Sequence, residues 1–410
     1  MNSTRILIVG GGLTGTALAL GLARAGHEVA LIDAQPRQKR AADSFDGRSY
    51  ALAFASMRML MALGLWEALA PNAQEILGVR VSDGRVDRGP GPFVMEFDAA
   101  ELEEGPLGAM VEDRFLRQAL LNAITDTPGI TEYDGVTVQD QKTDETGVEI
   151  TLSNGQHLSG VLLVGADGRG GGVATRAGIT RQVIDYNQMA LVCAISHERP
   201  HHGIAHQYFL PPGPLAILPL TGNRVSIVWS ERRALAKKIQ TLGDREYLQV
   251  LRPRFGDFLG RIELAGKRYA YPLNRSLARS FVAPRVALVG DAVRGVHPIA
   301  GQGLNASLRD VAALAEVLID AERRGEDIAS PIVLERYQTW RRADSTTLAT
   351  ATDGFNRLFS NDSTLLRLGR GIALAAVGNT PMLRRAFMRE AAGLNGDLPR
   401  LLKGEHLIRV

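Results

Sequence analysis

The chain has 410 residues, of which 45% are hydrophobic and 22% charged; this is ordinary for a globular protein with a large core and two or three domains. The formal net charge of +3 is too small to indicate a nucleic-acid partner, and no stripe of basic and aromatic residues accompanies it. Cys193, the single cysteine, excludes an intrachain disulfide and suits the cytoplasm, and no apolar run approaches the roughly 18 residues of a membrane span.

The first 33 residues predict a strand, a glycine-rich turn, a helix and a second strand. The strand covers residues 5–9, the turn 10–15, the helix 16–25 and the second strand 29–32. Glycines in the turn permit a tight bend, let backbone N–H groups approach a pyrophosphate and let helix and strand pack closely. The acid that follows the second strand can accept hydrogen bonds from a ribose. The candidate dinucleotide-binding residues are Gly10, Gly12, Leu13, Thr14, Gly15 and Asp33.

Two later segments favour FAD over NAD. An apolar strand in residues 160–165 leads into Asp167-Gly168, and another, from residue 285, ends in Gly290-Asp291. The aspartate at 291 is expected to accept a hydrogen bond from a ribityl hydroxyl. A helix predicted over 304–321 is expected to aim its positive end at the N1–C2 edge of a flavin. The candidate residues here are Asp167, Gly290, Asp291, Pro298, Gly301, Gly303, Leu304 and Asn305.

Residues 301–306 also fit a loose second dinucleotide motif, which would indicate an NAD(P) site. No strand directly precedes this stretch, and no acid closes a following strand. Because that context is missing, the FAD interpretation is preferred.

Residues 105–125 have a helical pattern and are predicted to form a helix. The middle of the chain has a different pattern. Between residues 181 and 271, apolar and polar residues alternate and turn signals separate short segments, which predicts an antiparallel sheet that residues 77–95 join. We therefore predict an α/β protein with a Rossmann-like FAD-binding domain, an antiparallel β-sheet substrate domain and a C-terminal helical region. The predicted boundaries are 1–76, 96–180 and 272–330 for the FAD domain, 77–95 and 181–271 for the substrate domain, and 331–410 for the helical region.

The C-terminal region is basic, with 12 Lys+Arg against 7 Asp+Glu over residues 331–410. One helical pattern follows Ser363, and Thr380-Pro381 has the form of an N-cap and first turn for a second one that carries Arg384, Arg385 and Arg389. These helices fit either an amphipathic layer packed on the FAD domain or a surface that meets anionic lipid or an assembly partner.

Three glycine- and aspartate-bearing segments resemble the fingerprints of class A flavin-dependent aromatic hydroxylases of the para-hydroxybenzoate hydroxylase type. More narrowly, the chain is similar almost end to end to the ubiquinone-biosynthesis hydroxylases of the UbiH/UbiF/VisC group. The stretches that carry this similarity are Asp46-Gly-Arg-Ser-Tyr-Ala-Leu-Ala, Gly213-Pro-Leu-Ala-Ile-Leu-Pro-Leu and His297-Pro-Ile-Ala-Gly-Gln-Gly.

The resemblance implies contacts of Arg48 with the FAD phosphates, of Arg114 with the ribityl-phosphate side and of Asp291 with the ribityl chain. It implies a polyprenylated phenol as substrate and O₂ as co-substrate, activated as a flavin C4a-hydroperoxide, with NAD(P)H or another donor as reductant. It further implies a ubiquinone-biosynthesis complex, a homo-oligomer and peripheral membrane contact as partners. Three departures from the family pattern affect how the flavin is reduced and moves: Val293-Arg294 in place of Ala-His, Gly171 and Ala174 in place of Ser and Arg, and Ala306-Ser307 in place of Leu-Gly.

His297 is the candidate catalytic side chain, because an imidazole can help to deprotonate a phenol near neutral pH; alternatively, it only shapes the turn before Pro298. His201, His202 and His206 lack spaced carboxylate or cysteine partners, so no metal site is expected. Trp229 and Tyr208 are expected in the core rather than in a pocket. Two other functions stay open: hydroxylation of a small soluble phenol, and a catalytically silent FAD-binding scaffold, which Val293-Arg294 motivates.

Overall fold

The computed structural model describes residues 6–87, 89–295, 301–359 and 380–408, with the main chain alone at 92–93, 348–349 and 351–359. A six-stranded sheet lies at its centre. Its strands are β1 (Ile6–Val9), β2 (Val29–Asp33), β8 (Ile130–Asp134), β12 (Leu162–Gly165), β19 (Val282–Ala283) and β20 (Val286–Leu288). They follow the order β19-β20-β12-β1-β2-β8, and every neighbouring pair except β19-β20 is parallel.

This order explains the continuous apolar runs of the sequence. The whole of β1 and β20 is buried, as expected for strands that have helices on both faces. Parallel strands present their carboxyl ends at one edge of a sheet, so β1, β12 and β20 deliver the segments that follow them to the same place.

A nine-stranded sheet forms the second large layer. Its strands are β5 (Gly78–Arg85), β6 (Gly89–Asp98), β13 (Arg181–His197), β14 (Ile204–Leu210), β15 (Gly213–Leu220), β16 (Arg224–Arg232), β17 (Ile262–Leu264), β18 (Tyr269–Ala278) and β21 (Arg294–Gly295). Eight follow the order β21-β18-β13-β16-β15-β14-β5-β6, and β17 pairs with β13. All pairs are antiparallel except β14-β5. The predicted α/β architecture with a large antiparallel sheet is confirmed.

Two three-stranded sheets and a set of helices complete the fold. The smaller strands are β3 (Ser49–Ala53), β4 (Ala73–Ile76), β7 (Gly108–Glu112), β9 (Val138–Thr143), β10 (Val148–Leu152) and β11 (His157–Gly160). The helices are α1 (Leu13–Arg24), α2 (Arg37–Arg40), α3 (Phe54–Ala62), α4 (Trp66–Leu69), α5 (Asp113–Thr125), α6 (Gly172–Arg176), α7 (Arg233–Gln240), α8 (Asp244–Phe255), α9 (Gln302–Arg323), α10 (Pro331–Phe359), α11 (Pro381–Ala391) and α12 (Arg400–Lys403).

The two faces of the nine-stranded sheet have different surroundings. On one, which we call the back face, Trp229 and Tyr208 pack with Tyr247 and Phe255 of α8 in a separate hydrophobic cluster. The core placement expected for Trp229 and Tyr208 is therefore confirmed. Side chains alternate along a strand, so the intervening residues point to the opposite, front face. There, Leu218 packs against the main core around the six-stranded sheet.

The elements of the structure agree only in part with those expected from the sequence. A helix was expected over 105–125, but Gly108–Glu112 is a strand between β3 and β4, and the helix begins at Asp113. The predicted domain change at residue 272 falls within β18. The first C-terminal helical pattern lies outside the described residues, whereas α11 begins at Pro381 as expected, without a side-chain cap from Thr380. Among the helices that the structure describes, none combines the length and apolar character needed to cross a membrane.

Candidate active site

The glycine-rich turn after β1 and the turn after β12 that carries Asp167 pack against each other through their backbones. Gly10 has φ +109°, and a β-carbon there would lie 2.3 Å from the carbonyl oxygen of Ala166. The Ala166 N–H donates to the Val9 carbonyl at 2.7 Å, which continues the β1–β12 pairing beyond the strand ends. Only glycine fits this close approach, so position 10 places the turn of β1 directly against the turn that carries Asp167.

The two other glycines of the motif have opposite surroundings. A β-carbon on Gly15 would stand 1.8 Å from the Gly10 carbonyl oxygen, so this glycine allows the close packing expected of it. Gly12 is exposed, and a β-carbon there would meet no atom within 4 Å. Gly12 is also the N-cap of α1, and as a glycine it has no side chain with which to cap the helix. The N–H groups of the first turn of α1 are therefore available to an anion such as a pyrophosphate.

Asp33 is already engaged by the protein backbone. Its carboxylate accepts hydrogen bonds from the N–H groups of Gly11 at 2.6 Å and Gln35 at 2.7 Å. Arg40, which the sequence analysis did not identify, lies beside it and donates to the Gly11 carbonyl at 3.0 Å. Arg40 is buried and also contacts Glu132 at 2.9 Å, so its side chain connects the glycine turn to β8. Its only sequence signal is a basic residue shortly after the acid that ends β2.

Asp167 has one carboxylate oxygen that the protein satisfies and one that it does not. The Val173 N–H donates to Oδ2 at 3.0 Å, whereas Oδ1 is buried and has no hydrogen-bond partner among the described residues. Burial raises the pKa of this carboxyl above its ordinary value. A β-carbon on Gly171 would lie 2.1 Å from the Asp167 Cγ, which explains the glycine at this departure from the family pattern.

The turn after β20 contacts the glycine-rich turn after β1 through Gly290. This residue has φ +65°, and a β-carbon on it would come within 2.9 Å of Thr14 Cγ2. The carboxylate of Asp291 is 45% exposed and forms an ion pair with Arg169 at 3.1 Å. Arg181 donates to the Asp291 carbonyl at 3.3 Å. The structure therefore places Asp291 at the same edge as the glycine turn, flanked by two arginines that the sequence analysis did not identify.

Helix α9 opens the described segment that starts at residue 301. Gly301 is its N-cap with φ +63°, and a β-carbon on Gly303 would meet nothing within 4 Å. Both the oxygen and the nitrogen of the Asn305 side-chain amide have hydrogen-bond partners within the protein. The oxygen accepts from the Ala53 N–H at 2.9 Å, and the nitrogen donates to the Ala51 carbonyl at 2.8 Å. Leu304 is half-buried against the core. His297 and Pro298 lie outside the described residues.

The two predicted phosphate-contacting arginines lie beside the β3-β7-β4 sheet. Arg48 contacts Asp46 at 2.5 Å and Asp113 at 3.0 Å. Its burial alone would lower its pKa, but the hydrogen bond to Asp46 and the charge of Asp113 outweigh burial and raise it. Arg114 instead donates to Glu112 at 2.8 Å and to the Asp43 carbonyl at 3.0 Å. Both guanidinium groups therefore have carboxylate partners within the protein.

A chain of contacts links Arg48 to the glycine turn. Arg117 donates to Asp113 at 2.5 Å and to the Arg40 carbonyl at 2.5 Å, and Arg40 in turn donates to Gly11. The structure thus connects Arg48 to the first segment through side chains that are far apart in sequence. Arg114 does not take part in this chain.

The front face of the nine-stranded sheet supplies a row of side chains across seven strands. Cross-strand pairing aligns Tyr269, Val192, Val228, Ala216, Gln207, Val81 and Met95. At the centre of this row Val192, Val228 and Gln207 are only half-buried. The name front-face row is used below for the five of these residues that lie on β18, β13, β16, β15 and β14: Tyr269, Val192, Val228, Ala216 and Gln207. Its surface is mostly apolar, as expected for the wall of a ligand pocket, and register rather than sequence spacing brings it together.

The three candidate histidines do not form a metal site. His206 is buried against Phe258 and Tyr208 on the back face, and burial, together with the nearby charge of Arg80, lowers its pKa to about 4. His201 lies within 2.9 Å of the Leu220 and Gly222 carbonyls. Among the described residues no group of three or more His, Cys, Asp or Glu could hold a metal ion.

These features fit FAD at the edge where β1, β12 and β20 end. An uncapped helix N-terminus suits a pyrophosphate, an orphaned buried oxygen of Asp167 suits a hydroxyl donor, and Asp291 offers a second acceptor. At one end of the front-face row, Tyr269 lies against Gly47, the residue before Arg48. The arrangement can therefore bind a flavin and place an apolar ring beside it.

Comparisons with known proteins agree with this geometry. Residues 3–352 match the family described as FAD binding domain. The chain is 43% identical over 402 residues to the ubiquinone hydroxylase UbiL of Rhodospirillum rubrum, covering 97% of this chain and 92% of that one. It is 36% identical over 396 residues to the 3-demethoxyubiquinol 3-hydroxylase of Escherichia coli, covering 95% and 99%.

The fold also matches a solved structure. The p-nitrophenol 4-monooxygenase PnpA of Pseudomonas putida superposes with a TM-score of 0.79 at 20% identity, covering 97% of this chain and 99% of that one. Similarity at that identity shows the architecture, and the curated relatives show the family. The chain belongs to the FAD-dependent hydroxylases of ubiquinone biosynthesis, a family with the class A flavin monooxygenase fold.

Proposed function

We propose that this protein hydroxylates the aromatic ring of a polyprenylated phenol in ubiquinone biosynthesis, with FAD as cofactor and O₂ as co-substrate. The observation that carries the proposal is the similarity, over nearly the whole chain, to two ubiquinone-pathway hydroxylases. The mostly apolar front-face row supports it, because an apolar wall suits a hydrophobic ring and a prenyl tail.

FAD, when bound and reduced, supplies the activation of O₂. The residues of this chain then have two tasks. Asp167, Asp291 and the N-terminus of α1 hold the cofactor at the sheet edge, and the front-face row orients the ring and excludes water. A proton acceptor for the phenol is still required, and His297 stays our prediction for that role.

The reductant and the place of action extend the proposal. NADH, NADPH or a protein donor supplies the electrons, and comparing the rates of NADH and NADPH oxidation by the purified protein identifies which. We place the enzyme in the cytoplasm at the membrane surface, where a polyprenylated substrate accumulates. The exposed side chains of Met382, Leu383 and Phe387 on α11, next to exposed Arg385, support this placement. Membership of a ubiquinone-biosynthesis complex and homo-oligomerisation stay predictions, which size-exclusion chromatography tests.

Complementation tests the function. The chain is expressed in Escherichia coli strains that each lack one ring hydroxylase of ubiquinone synthesis, and the quinones are identified by mass spectrometry. Restored ubiquinone in one or more strains is expected, and the rescued strains reveal which ring carbon is hydroxylated. A Gly12→Val variant serves as the flavin-deficient control. A protein that is folded and carries FAD but rescues no strain would contradict the proposal.

The two alternative functions have no structural observation in their favour. A hydroxylase of small soluble phenols would oxidise NAD(P)H faster when such phenols are added without lipid, which the same preparation tests. The scaffold hypothesis was motivated by Val293 and Arg294. Both side chains are buried, and Arg294 is paired with Asp310, so neither replacement reaches the front-face row.

A further inference from the structure

Asp310 lies buried between two arginines that come from different parts of the fold. Arg294 in β21 donates through both terminal nitrogens to its carboxylate, with Nη1 2.5 Å from Oδ2. Arg341 in α10 donates through Nε to Oδ1 at 3.0 Å. The side chains of Arg294 and Arg341 are each 2% exposed, and that of Asp310 is fully buried. We call these three residues the buried arginine clamp. It cross-links β21, α9 and α10.

The clamp holds the turn that carries Asp291. The same Oδ2 atom of Asp310 accepts a hydrogen bond from the Gly290 N–H at 3.0 Å. On its other side Gly290 abuts Thr14 at the start of α1. Gly290 is therefore held between Asp310 and the glycine turn. Because Asp291 follows Gly290 directly, these contacts also fix the position of Asp291.

The clamp also reaches the beginning of α9. Arg294 Nη2 donates to the Ala306 carbonyl at 3.3 Å, near the start of the helix whose N-terminus is expected to face the flavin. One guanidinium therefore ties together the Gly290 turn, through Asp310, and the first turns of α9. Such charge-assisted, bidentate hydrogen bonds are stronger and geometrically more specific than neutral ones.

We propose that Arg294 is a positioning residue for FAD, acting through Asp310 to fix the Gly290–Asp291 turn and the start of α9 in the conformation that the cofactor needs. The proposal rests on the FAD-binding role proposed for Asp291. It explains the departure from the Ala-His pattern of the family at 293–294. A guanidinium keeps its charge at every physiological pH, whereas an imidazole can lose its charge within the physiological range.

Other ionisable groups surround the clamp and must be considered in any pH experiment. Tyr337 of α10 lies nearby, and burial raises its pKa, so it stays neutral. Asp344 pairs with both Arg341 and Arg309. These groups are unchanged in variants of Arg294, so a new pH dependence in a histidine variant reports on position 294.

The test measures FAD affinity by titrating full-length apoprotein and following flavin fluorescence between about pH 6 and pH 9, alongside the melting temperature of the apoprotein. Arg294→Met is expected to raise the Kd for FAD about tenfold at every pH. Arg294→His is expected to bind within about twofold of wild type at the acidic end and about tenfold more weakly at the alkaline end. The wild type should not show this difference.

Three outcomes are distinguished. An unchanged Kd for both variants, even with lowered melting temperatures, would assign Arg294 a merely structural role and overturn the proposal. Asp291→Asn is the control for the underlying assignment: if it binds FAD as tightly as wild type, the role of Asp291 itself is wrong. If Arg294→Met does not fold, two other variants replace it. Arg341→Met removes the other guanidinium from Asp310, and Arg294→His shows whether the Kd for FAD depends on pH. A Kd of Arg294→His that does not change with pH would count against the proposal.

Discussion

Gly10 packs against the backbone of Ala166 so closely that a β-carbon on it would stand 2.3 Å from the Ala166 carbonyl oxygen. This contact joins the turn after β1 to the turn after β12, two segments more than 150 residues apart. Gly290, pressed against Thr14, adds the third. The candidate cofactor site is thus a backbone assembly, in which the glycines permit the approach and the aspartates supply the acceptors.

Gly12 and Gly15 should respond differently to the same substitution. Gly12→Val places its side chain in open space, so the variant should fold but bind FAD at least roughly 100-fold more weakly, because the side chain obstructs a pyrophosphate. Gly15→Val should not fold, since its β-carbon would lie 1.8 Å from a carbonyl oxygen. Flavin absorbance and circular dichroism check both. Normal flavin content in folded Gly12→Val protein would refute the site.

Asp167→Asn should stabilise the apoprotein more at alkaline than at acidic pH. Burial raises the pKa of the carboxyl, so its contribution to stability is present below the unfolded pKa and is lost as pH rises through the folded pKa. Asparagine keeps an acceptor for the Val173 N–H but does not ionise. The gain in melting temperature over wild type should be larger at about pH 8 than at about pH 4.5. An equal gain at both values would argue against a buried carboxylate.

His206 should make the fold sensitive to acid. Its pKa is lowered to about 4, so the stability it contributes is present above the unfolded pKa and is lost as pH falls from about 6.5 towards 4. Between pH 7 and pH 5 this amounts to about 2 kcal/mol. His206→Gln should lose that dependence, as denaturant melts at both pH values would reveal. A wild type and variant that lose stability in parallel would show that other groups dominate.

Val228 should control access to the pocket. Val228→Phe adds bulk in the middle of the front-face row, so turnover of the ring substrate should fall about tenfold or more while flavin content is unchanged. Val228→Ala is the matched control and should keep activity within roughly threefold. The amount of ubiquinone formed in a complemented hydroxylase-deficient strain, quantified by mass spectrometry, measures both activities. Full activity of the phenylalanine variant would place the substrate elsewhere.

Helix α11 should mediate contact with lipid. Leu383 and Phe387 are each 45% exposed or more, so Leu383→Glu/Phe387→Glu should fold normally and lose about tenfold in binding to anionic liposomes, measured by co-sedimentation. Ile332→Glu, at a 72% exposed site on α10, is the control and should bind like wild type. Equal sedimentation of all three proteins would favour packing or assembly roles for α11.

Much of the fold could be predicted because local patterns decide it. The buried run of β1, the glycine turn and the helix that follows depend on neighbouring residues, and so does the alternation of β16. The strand Gly108–Glu112 was missed because its pairing with β3 and β4 is non-local. Without those partners, the residues before α5 have no signal that separates strand from helix.

The sequence by itself determined the positions of the glycines and aspartates of the site, since backbone conformation and charge at those positions depend on residue type. Only the tertiary structure decided which partner each polar side chain takes. Asn305 forms hydrogen bonds with the backbones of Ala51 and Ala53. Arg48 forms ion pairs with Asp46 and Asp113. Arg294 forms an ion pair with Asp310. Most of these partners are far apart in the chain, and a buried polar group is satisfied by whichever neighbour the fold brings within hydrogen-bond reach.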